Sequence, residues 1–342
     1  MEASLVTFIS IITLFMCIGW LFAKGVQPPP AALNILSPSD PLGTTHGFIS
    51  SQLGGSFILY TAECAFSDGL FAVLYPLGTA LGLLTLALGI GAKLRNLKLS
   101  RPCDVFEKYY GSETLKKVAS LLYIASLFGF LIVQVIAFRD FFHSIGLASE
   151  LLFCAIWFAI AAYSLFFNAR SAAKTDIIFG TVVICALTCA LFFLTPQSVW
   201  NEVSISSSLP CLKSQLYSEM KTKISGYLLM PCLFVFIEPT VIRSCMSSKS
   251  RFSISLAAIL SGVILLIFSL TPIYYGITGK ALGIEGSTNS FMSVISSSRN
   301  SVFTFVAAGA LFAAFAMAAS YMFCSMRACI LHDFLPKQKK GF

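Results

Sequence analysis

Polar residues of a kind that binds ions or small solutes interrupt an apolar stretch at residues 47–68. This stretch contains Gln52, the pair Gly54–Gly55 and Glu63. A glycine pair lets a helix unwind and expose backbone carbonyls, which can coordinate an ion or a solute. An acid inside a membrane span costs about 2.5–3.5 kcal/mol on insertion scales, so Glu63 is expected to face protein or a water-filled cavity. The alternative interpretation is a tilted helix that packs through small residues.

A second apolar stretch, at residues 226–242, carries the same kind of interruption. It contains Pro231, Glu238 and Pro239, and a proline removes a backbone donor and clashes with the preceding turn. We therefore predict that this helix breaks at Glu238–Pro239. Broken helices at corresponding positions of two inverted halves indicate the central binding site of a transporter. Two unrelated kinked helices are the alternative.

The composition places the chain in a membrane. It is 57% hydrophobic and 11% charged, with a mean hydropathy of +0.84, whereas soluble domains carry about 25% charged residues. Runs of about 20 apolar residues are typical of helical spans rather than barrel strands. The lipid bilayer is therefore an expected partner. The net charge of +8 comes from basic residues next to span ends, so it indicates membrane topology rather than a nucleic-acid partner.

No pattern of catalytic or metal-ligating residues is visible in the sequence. His46, His143 and His332 are far apart along the chain, and no CxxC, GxSxG or nucleotide-binding loop occurs. Catalysis and metal binding both need convergent side chains. We therefore predict that the protein is not an enzyme and has no cofactor other than a coupling ion.

Hydropathy predicts an all-α, polytopic fold of about nine transmembrane helices in a single domain, residues 1–342. This domain divides into a leading helix (1–24), a first repeat of five helices (47–195), an extracytoplasmic loop (196–223) and a partial second repeat (224–335). A short surface helix is expected at Ile284–Ser298. The expected spans are Leu5–Phe22, Phe48–Phe66, Leu70–Gly91, Val118–Phe138, Leu151–Phe167, Ile177–Leu194, Gly226–Ile242, Ile254–Ile277 and Val302–Met326.

The placement of charge predicts the orientation of these spans. With the N-terminus outside and the C-terminus in the cytoplasm, seventeen of the 23 Lys and Arg residues fall on the inner side, as the positive-inside rule requires. The first span lacks a basic start and a small-residue cleavage site, so we expect it to be retained rather than removed as a signal peptide. These features predict a protein of the bacterial inner membrane.

A series of short motifs begins in the first interrupted stretch and ends just after the second. They are QLGG at Gln52–Gly55, AEC at Ala62–Cys64, YPLG at Tyr75–Gly78, GAKLR at Gly91–Arg95, Tyr110–Ser112, Gln134, Asp176, and Arg243 with the SSKS that follows. In their order and spacing these motifs resemble those of the sodium:solute symporter family. The resemblance implies an inverted repeat of five plus five helices of the leucine-transporter type, with one extra helix in front, and sodium-coupled secondary transport of a small organic solute.

The sequence departs from the family at the expected sodium site. The family places paired hydroxyls on its eighth core helix, and with Asp333 as the anchor these positions hold Met317 and Ala318. Ser320 lies nearby, and Gln52 replaces an acid that some members have. Because sodium needs several hard oxygen ligands, we expect weak or absent sodium coupling. A proton acting through Glu63, Glu238 or Asp176 is the alternative coupling ion.

The second departure is the length of the second repeat. The chain ends after the helix that corresponds to the eighth core helix, so the inverted repeat is expected to be incomplete. An incomplete half would expose polar backbone of the broken helices to lipid. We therefore expect either a symporter that moves a small organic solute, or a truncated or degenerate remnant without transport of its own. A second polypeptide that supplies further helices would complete the latter.

Overall fold

The computed structural model describes residues 41–97, 99, 102–144, 149–166, 180–189, 216–283, 290–297 and 301–334. The predicted leading helix and Asp176 lie outside these residues. Every element that is described is helical, which confirms the all-α fold. The helices are α1 (Pro41–Gln52), α2 (Gly55–Asp68), α3 (Leu74–Thr85), α4 (Gly91–Asn96), α5 (Asp104–Tyr110), α6 (Glu113–Ser144), α7 (Glu150–Phe166), α8 (Gly180–Cys189), α9 (Leu216–Ile237), α10 (Pro239–Ser247), α11 (Arg251–Ala281), α12 (Ser290–Ser297) and α13 (Ser301–Cys329).

Within the described residues, four helical stretches are long and apolar enough to cross a membrane, or five if a bent pair counts as one span. The first of them, Gly55–Asn96, is a hairpin rather than one straight helix. Its turn is a 3₁₀ segment at Gly69–Val73, where Gly69 has a φ of 64°. Helix α11 runs in the same direction as α2, because Gly276 lies beside Ala62 and Lys280 binds the Ser67 carbonyl. It runs against α3, because Gly262 lies beside Ala80 and Ser255 binds the Ala87 carbonyl, so α2 and α3 run antiparallel. The predicted total of nine spans stays a prediction.

Two groups of helices pack around this hairpin. Helix α11 lies against α1, α2 and α3, and α9 lies along α3. Close approach of α9 to α3 is made possible by Gly78 and Gly82, which abut the α9 backbone at Leu228 and Cys232. Helix α13 packs against α6 and α7. The ring of Phe138 on α6 forms the centre of that contact, because it meets Phe153 and Trp157 of α7 and Phe312 and Phe315 of α13.

The short helix α12 is buried, whereas a surface helix was predicted for this region. Phe291, Met292 and Ile295 are fully buried, and the helix packs against α2, α11 and α13. Its apolar residues recur at helical spacing, which the sequence indicated. The sequence did not indicate that this face would be covered by three spans.

One end of the bundle is tied together around Asp68, and we call it the Asp68 end. Lys223 Nζ lies 2.7 Å from Asp68 Oδ1, and the Tyr227 hydroxyl donates to Asp68 Oδ2 at 2.6 Å. Lys280 Nζ donates to the Ser67 carbonyl at 3.1 Å. These contacts join the end of α2 to the first part of α9 and the end of α11. Helix α9 itself begins at Leu216, inside the segment predicted as a loop.

The opposite end is tied together around Lys116, and we call it the Lys116 end. Lys116 Nζ pairs with Glu107 and lies 3.0 Å from Asp104 Oδ1 and 3.6 Å from Asp333 Oδ1. The side chain of Asp333 is fully buried, and the Ser120 hydroxyl donates to its Oδ2 at 2.6 Å. This cluster joins α5, the start of α6 and the π-helical turn Ile330–Phe334 that follows α13.

Replacing Lys116 by methionine is expected to lower the free energy of unfolding by about 3 kcal/mol. The change removes a cation beside the buried Asp333 carboxylate, and breaking one side of a buried pair is strongly destabilising. The matched control is Arg139→Met, which breaks an ion pair with Glu150 whose side chains are 55% and 57% exposed. Exposed pairs contribute about 0–1 kcal/mol. Thermal unfolding in one detergent should separate the two variants, and equal losses would contradict the prediction.

Candidate solute and ion site

The first break predicted from the sequence lies between α1 and α2. Helix α1 ends at Gln52, and α2 begins at Gly55 with Gly54 as its extended N-cap residue (φ −89°, ψ 159°). The N–H groups of Phe57 and Ile58 donate to the Gly54 carbonyl at 3.1 and 3.3 Å. A helix end leaves its last carbonyls, and a helix start its first N–H groups, without helical partners. The break therefore presents polar backbone inside the bundle.

Gln134 on α6 fixes the geometry of this break. Its Nε2 donates to Ser56 Oγ at 2.7 Å, and its Oε1 accepts from the Ser56 backbone N–H at 3.4 Å. Gln134 is 7% exposed, so it lies inside the bundle, as predicted. The side-chain amide thus satisfies one of the N–H groups that the break leaves open at the start of α2.

The glycine pair is required by close approach of two other helices. A Cβ atom on Gly54 would lie 2.8 Å from Gln134 Nε2 and 3.5 Å from the Ala318 Cβ. A Cβ atom on Gly55 would lie 2.5 Å from the ring of Phe315. Neither residue has a positive φ, so the need for glycine comes from space. Helices α6 and α13 both face the break.

The face of α13 that meets the break is apolar. Phe315 and Ala318 approach the glycine pair and lie about 60° apart around the helix, whereas Met317 lies about 100° from Ala318 and about 160° from Phe315, beside that face. Ser320 lies about 160° around the helix from Ala318 by the same period. It is 3% exposed, and its hydroxyl has no hydrogen-bond partner among the described residues. Ser325 is buried about 20° from Ala318, two turns nearer the Lys116 end.

The second predicted break lies between α9 and α10. Helix α9 ends at Ile237, Glu238 has extended ψ (φ −65°, ψ 117°), and Pro239 begins α10. The two helices are bent by 51°. Proline at the first helical position is favourable because its missing N–H would have no helical partner there. Glu238 is 7% exposed, and its Oε1 accepts a hydrogen bond from the Thr240 hydroxyl at 2.7 Å.

The two broken helices lie side by side and run in opposite directions. Gly47 of α1 abuts the Ser244 side chain of α10, while Asp68 at the end of α2 binds Lys223 and Tyr227 of α9. The pair α1–α2 therefore runs from the Lys116 end to the Asp68 end, and α9–α10 runs back. This arrangement confirms the prediction of two adjacent, oppositely directed, broken helices.

The remaining predicted site residues lie at different distances from the breaks. Gln52 is 7% exposed at the end of α1, and its Nε2 donates to Ser51 Oγ at 3.2 Å. Glu63 is half-buried and lies eight residues along α2 from Gly55, about 12 Å nearer the Asp68 end. Asp176 lies outside the described residues. Their roles in binding stay predictions.

Three side chains that contact the broken helices were not predicted from the sequence. Ser56 follows the glycine pair directly, which is the one signal that could have indicated it. Phe315 reaches the break from α13. Tyr321 lies on the same helix, and the Arg243 guanidinium carbon is 5.9 Å from its ring centroid. Both aromatic residues sit in an apolar helix with no local feature that marks them.

Paired broken helices at corresponding positions of a polytopic all-α bundle are typical of secondary transporters of the leucine-transporter type. A comparison with solved structures agrees. The chain is similar to a Na⁺-coupled sialic acid symporter solved in a substrate-bound, outward-open state, with a TM-score of 0.77 and 12% sequence identity over 99% of this chain and 76% of that one. No protein-family model matches the sequence, and no curated protein matches it either. The chain thus has the fold of an integral membrane symporter.

Replacing Gln134 by leucine is expected to lower the free energy of unfolding by about 1–3 kcal/mol. The change keeps the volume of the side chain and removes both of its hydrogen bonds to Ser56, which leaves buried polar groups unpaired. Unfolding in detergent measures the loss. Gln134→Glu is the control, because it keeps the acceptor for the Ser56 N–H and should lose less when protonated. Equal stability of Gln134→Leu and the wild type would show that the Ser56 contacts are not stabilising.

Proposed function

We propose that this protein is a secondary active transporter that moves a small organic solute between the two broken helices. The observation that carries the proposal is the pair of adjacent, oppositely directed breaks, at Gly54–Gly55 and at Glu238–Pro239. Each break offers polar backbone inside an apolar bundle, where irregular backbone is tolerated only if protein or a water-filled cavity covers it. Alternating access in such folds comes from one bundle rocking against another around a fixed central site.

The coupling ion in this proposal is a proton rather than sodium. The residues of α13 that approach the glycine pair are Phe315 and Ala318, and neither they nor Met317, which precedes Ala318, offer a side-chain oxygen. A hard cation needs several oxygen ligands, so this surface fits sodium poorly. The solved symporter of similar fold is Na⁺-coupled, which makes sodium the comparison to test.

The proposed location is the bacterial inner membrane, with the Lys116 end in the cytoplasm. The Lys116 end carries most of the basic residues of the described helix ends, which supports this orientation. The N-terminus would then lie outside and the C-terminus inside. Labelling of single cysteines placed at each end by a membrane-impermeant thiol reagent, in a cysteine-free background, tests the orientation. Labelling from outside at the Lys116 end would reverse it.

Uptake by the purified protein in liposomes tests the proposed function. The solutes are a labelled panel of sugars, amino acids, carboxylates and amines, each supplied with an inward gradient of protons, of sodium, or of neither. Accumulation of at least one solute above empty liposomes, in either gradient, is the expected result. Liposomes that hold the Gly55→Ala variant are the matched control for non-specific binding. No accumulation of any solute would contradict the proposal.

A second candidate function is favoured by the apolar face of α13. A degenerate remnant of a symporter, or a subunit completed by a second polypeptide, would also lose hydroxyls at this position. Such a protein would fold and insert without accumulating any solute. The protein can be purified from its native membrane in mild detergent and the chains bound to it identified, which separates the subunit from the independent transporter. A stoichiometric membrane partner, together with no uptake by the purified chain on its own, would favour the subunit.

A further inference from the structure

The carboxyl group of Glu238 is buried inside the bundle without a cation. It is 7% exposed, it lies at the break between α9 and α10, and its hydrogen bonds come from the hydroxyl and the backbone N–H of Thr240. A carboxylate can accept about four hydrogen bonds. None of the Lys and Arg residues in the described part of the chain lies within ion-pair distance of it. An ionised carboxylate in this setting is strongly disfavoured, whereas the neutral acid is tolerated.

The charged and titratable groups around this break do not neutralise Glu238. On its own helix α10, Arg243 lies over the ring of Tyr321. On α1 and α4, which pack against α10, the groups are His46, Lys93 and Arg95, and Arg95 donates instead to the carbonyls of Ser248 and Lys249. On α9, which also packs against α10, Lys223 and Tyr227 bind Asp68 at the other end of the bundle. Tyr123 of α6 lies near both Glu238 and Tyr321 of α13. Neither tyrosine supplies a positive charge.

We propose that Glu238 is the proton-binding group of the central site and that it carries the proton that drives transport. The inference rests on the proposed function and narrows its coupling ion to one side chain. When the break is closed to water, the carboxyl holds its proton and is neutral. When the break opens to the compartment of higher pH, the O–H bond breaks, the proton leaves to water and the carboxylate remains.

A proton suits this position better than a metal cation does. A proton needs a single lone pair, whereas sodium or a divalent ion needs several oxygen ligands. Among the described residues, no group of three or more acidic, His or Cys side chains could complete such a shell. Glu63 is a weaker candidate for the same role, because it is half-buried and lies about 12 Å from the first break along α2. Location at a break matters, since only there does a change of helix angle change access to water.

Infrared difference spectroscopy of the purified protein tests the inference without any solute. The protein is titrated between about pH 5 and pH 9, a range that covers documented buried carboxyls. The wild type is expected to gain the high-frequency carbonyl band of a buried, protonated acid as the pH falls. Glu238→Gln should lack that component, and Glu150→Gln, a surface variant, should keep it. Identical spectra in the wild type and Glu238→Gln would overturn the proposal.

A second variant provides the test if Glu238→Gln misfolds. If Glu238→Gln elutes as an aggregate, Glu238→Asp keeps a carboxyl at the break and should still titrate, with its band displaced. A monomeric Glu238→Asp that shows no titrating band would overturn the proposal just as clearly.

Transport assays separate this inference from the proposed function. For any solute that the liposome panel identifies, Glu238→Gln should lose accumulation driven by a proton gradient by at least tenfold. It should keep exchange of labelled for unlabelled solute, since exchange needs no net proton movement. Gradient-driven uptake that survives in Glu238→Gln would refute the role of Glu238 and leave the function intact. A titrating Glu238 with no transported solute would refute the function and leave the proton site.

Discussion

Replacing Gly55 by alanine is expected to reduce solute uptake at least tenfold. The added methyl group would lie 2.5 Å from the Phe315 ring, and overpacking of this kind costs about 1–3 kcal/mol. Relief of the clash must move α13 away from the break or straighten the α1–α2 junction, and either change alters the site. Uptake into liposomes at equal protein content measures the effect. The control is Gly129→Ala on α6, where a Cβ atom meets nothing within 4 Å.

A compensating change distinguishes steric repair from general damage. Phe315→Val removes the ring atoms that a Cβ on Gly55 would meet, so Gly55→Ala/Phe315→Val should transport better than Gly55→Ala alone. A large coupling between the two positions is the signature of direct contact. If Gly55→Ala transports like the wild type, or if the double variant is no better than the single one, the α13 contact does not shape the site.

The broken helices could be predicted because their causes are local. A glycine pair and a Glu-Pro step weaken a helix wherever they occur in an apolar stretch, and the breaks fall at Gly54–Gly55 and Glu238–Pro239 as expected. The opposite directions of the two spans follow from counting the spans between them. Both features can be predicted without knowing which helices pack beside the broken ones.

The partners of the breaks could not be predicted in the same way, because they come from helices far away in the chain. The contact of Gln134 with Ser56 joins residues 78 positions apart, and the contact of Phe315 with Gly55 joins α13 to α2. Hydropathy marks both α6 and α13 as spans without indicating which face turns inward. The burial of α12 was missed for the same reason: an amphipathic segment can lie on lipid or on protein, and only packing decides.

The role of Ser320 shows the limit of register arguments. Distance along the sequence made it the nearest hydroxyl to the positions of Met317 and Ala318. The helical period instead places it about 160° around α13 from Ala318, whose Cβ faces Gly54. Ser320 as an ion ligand stays a prediction, but the face that meets the break belongs to Phe315 and Ala318.

Replacing sodium by potassium is expected to change wild-type uptake less than about twofold, whereas an uncoupler that collapses the proton gradient should reduce it at least tenfold. The physical reason is the lack of oxygen ligands from α13 near the first break. Phe315, Ala318 and the adjoining Met317 supply no hydroxyl, whereas sodium needs several oxygen ligands. Initial uptake rates at constant pH and constant membrane potential measure the dependence. A steep response of the wild type to sodium would contradict the prediction and point to Ser320 or Ser325 as ligands.

Restoring hydroxyls at this face tests the same reasoning in the other direction. Met317→Ser/Ala318→Ser places one hydroxyl at the position that faces Gly54 and a second on the adjoining residue, so uptake by this variant should become at least fivefold dependent on sodium. Ala313→Ser is the matched control, because Ala313 is buried on the same helix but lies about 140° from Ala318 and about 160° from Phe315. A hydroxyl there adds polarity to α13 without facing the break. Sodium dependence in the control alone, or in neither variant, would show that the apolar face of α13 is not what determines the coupling ion.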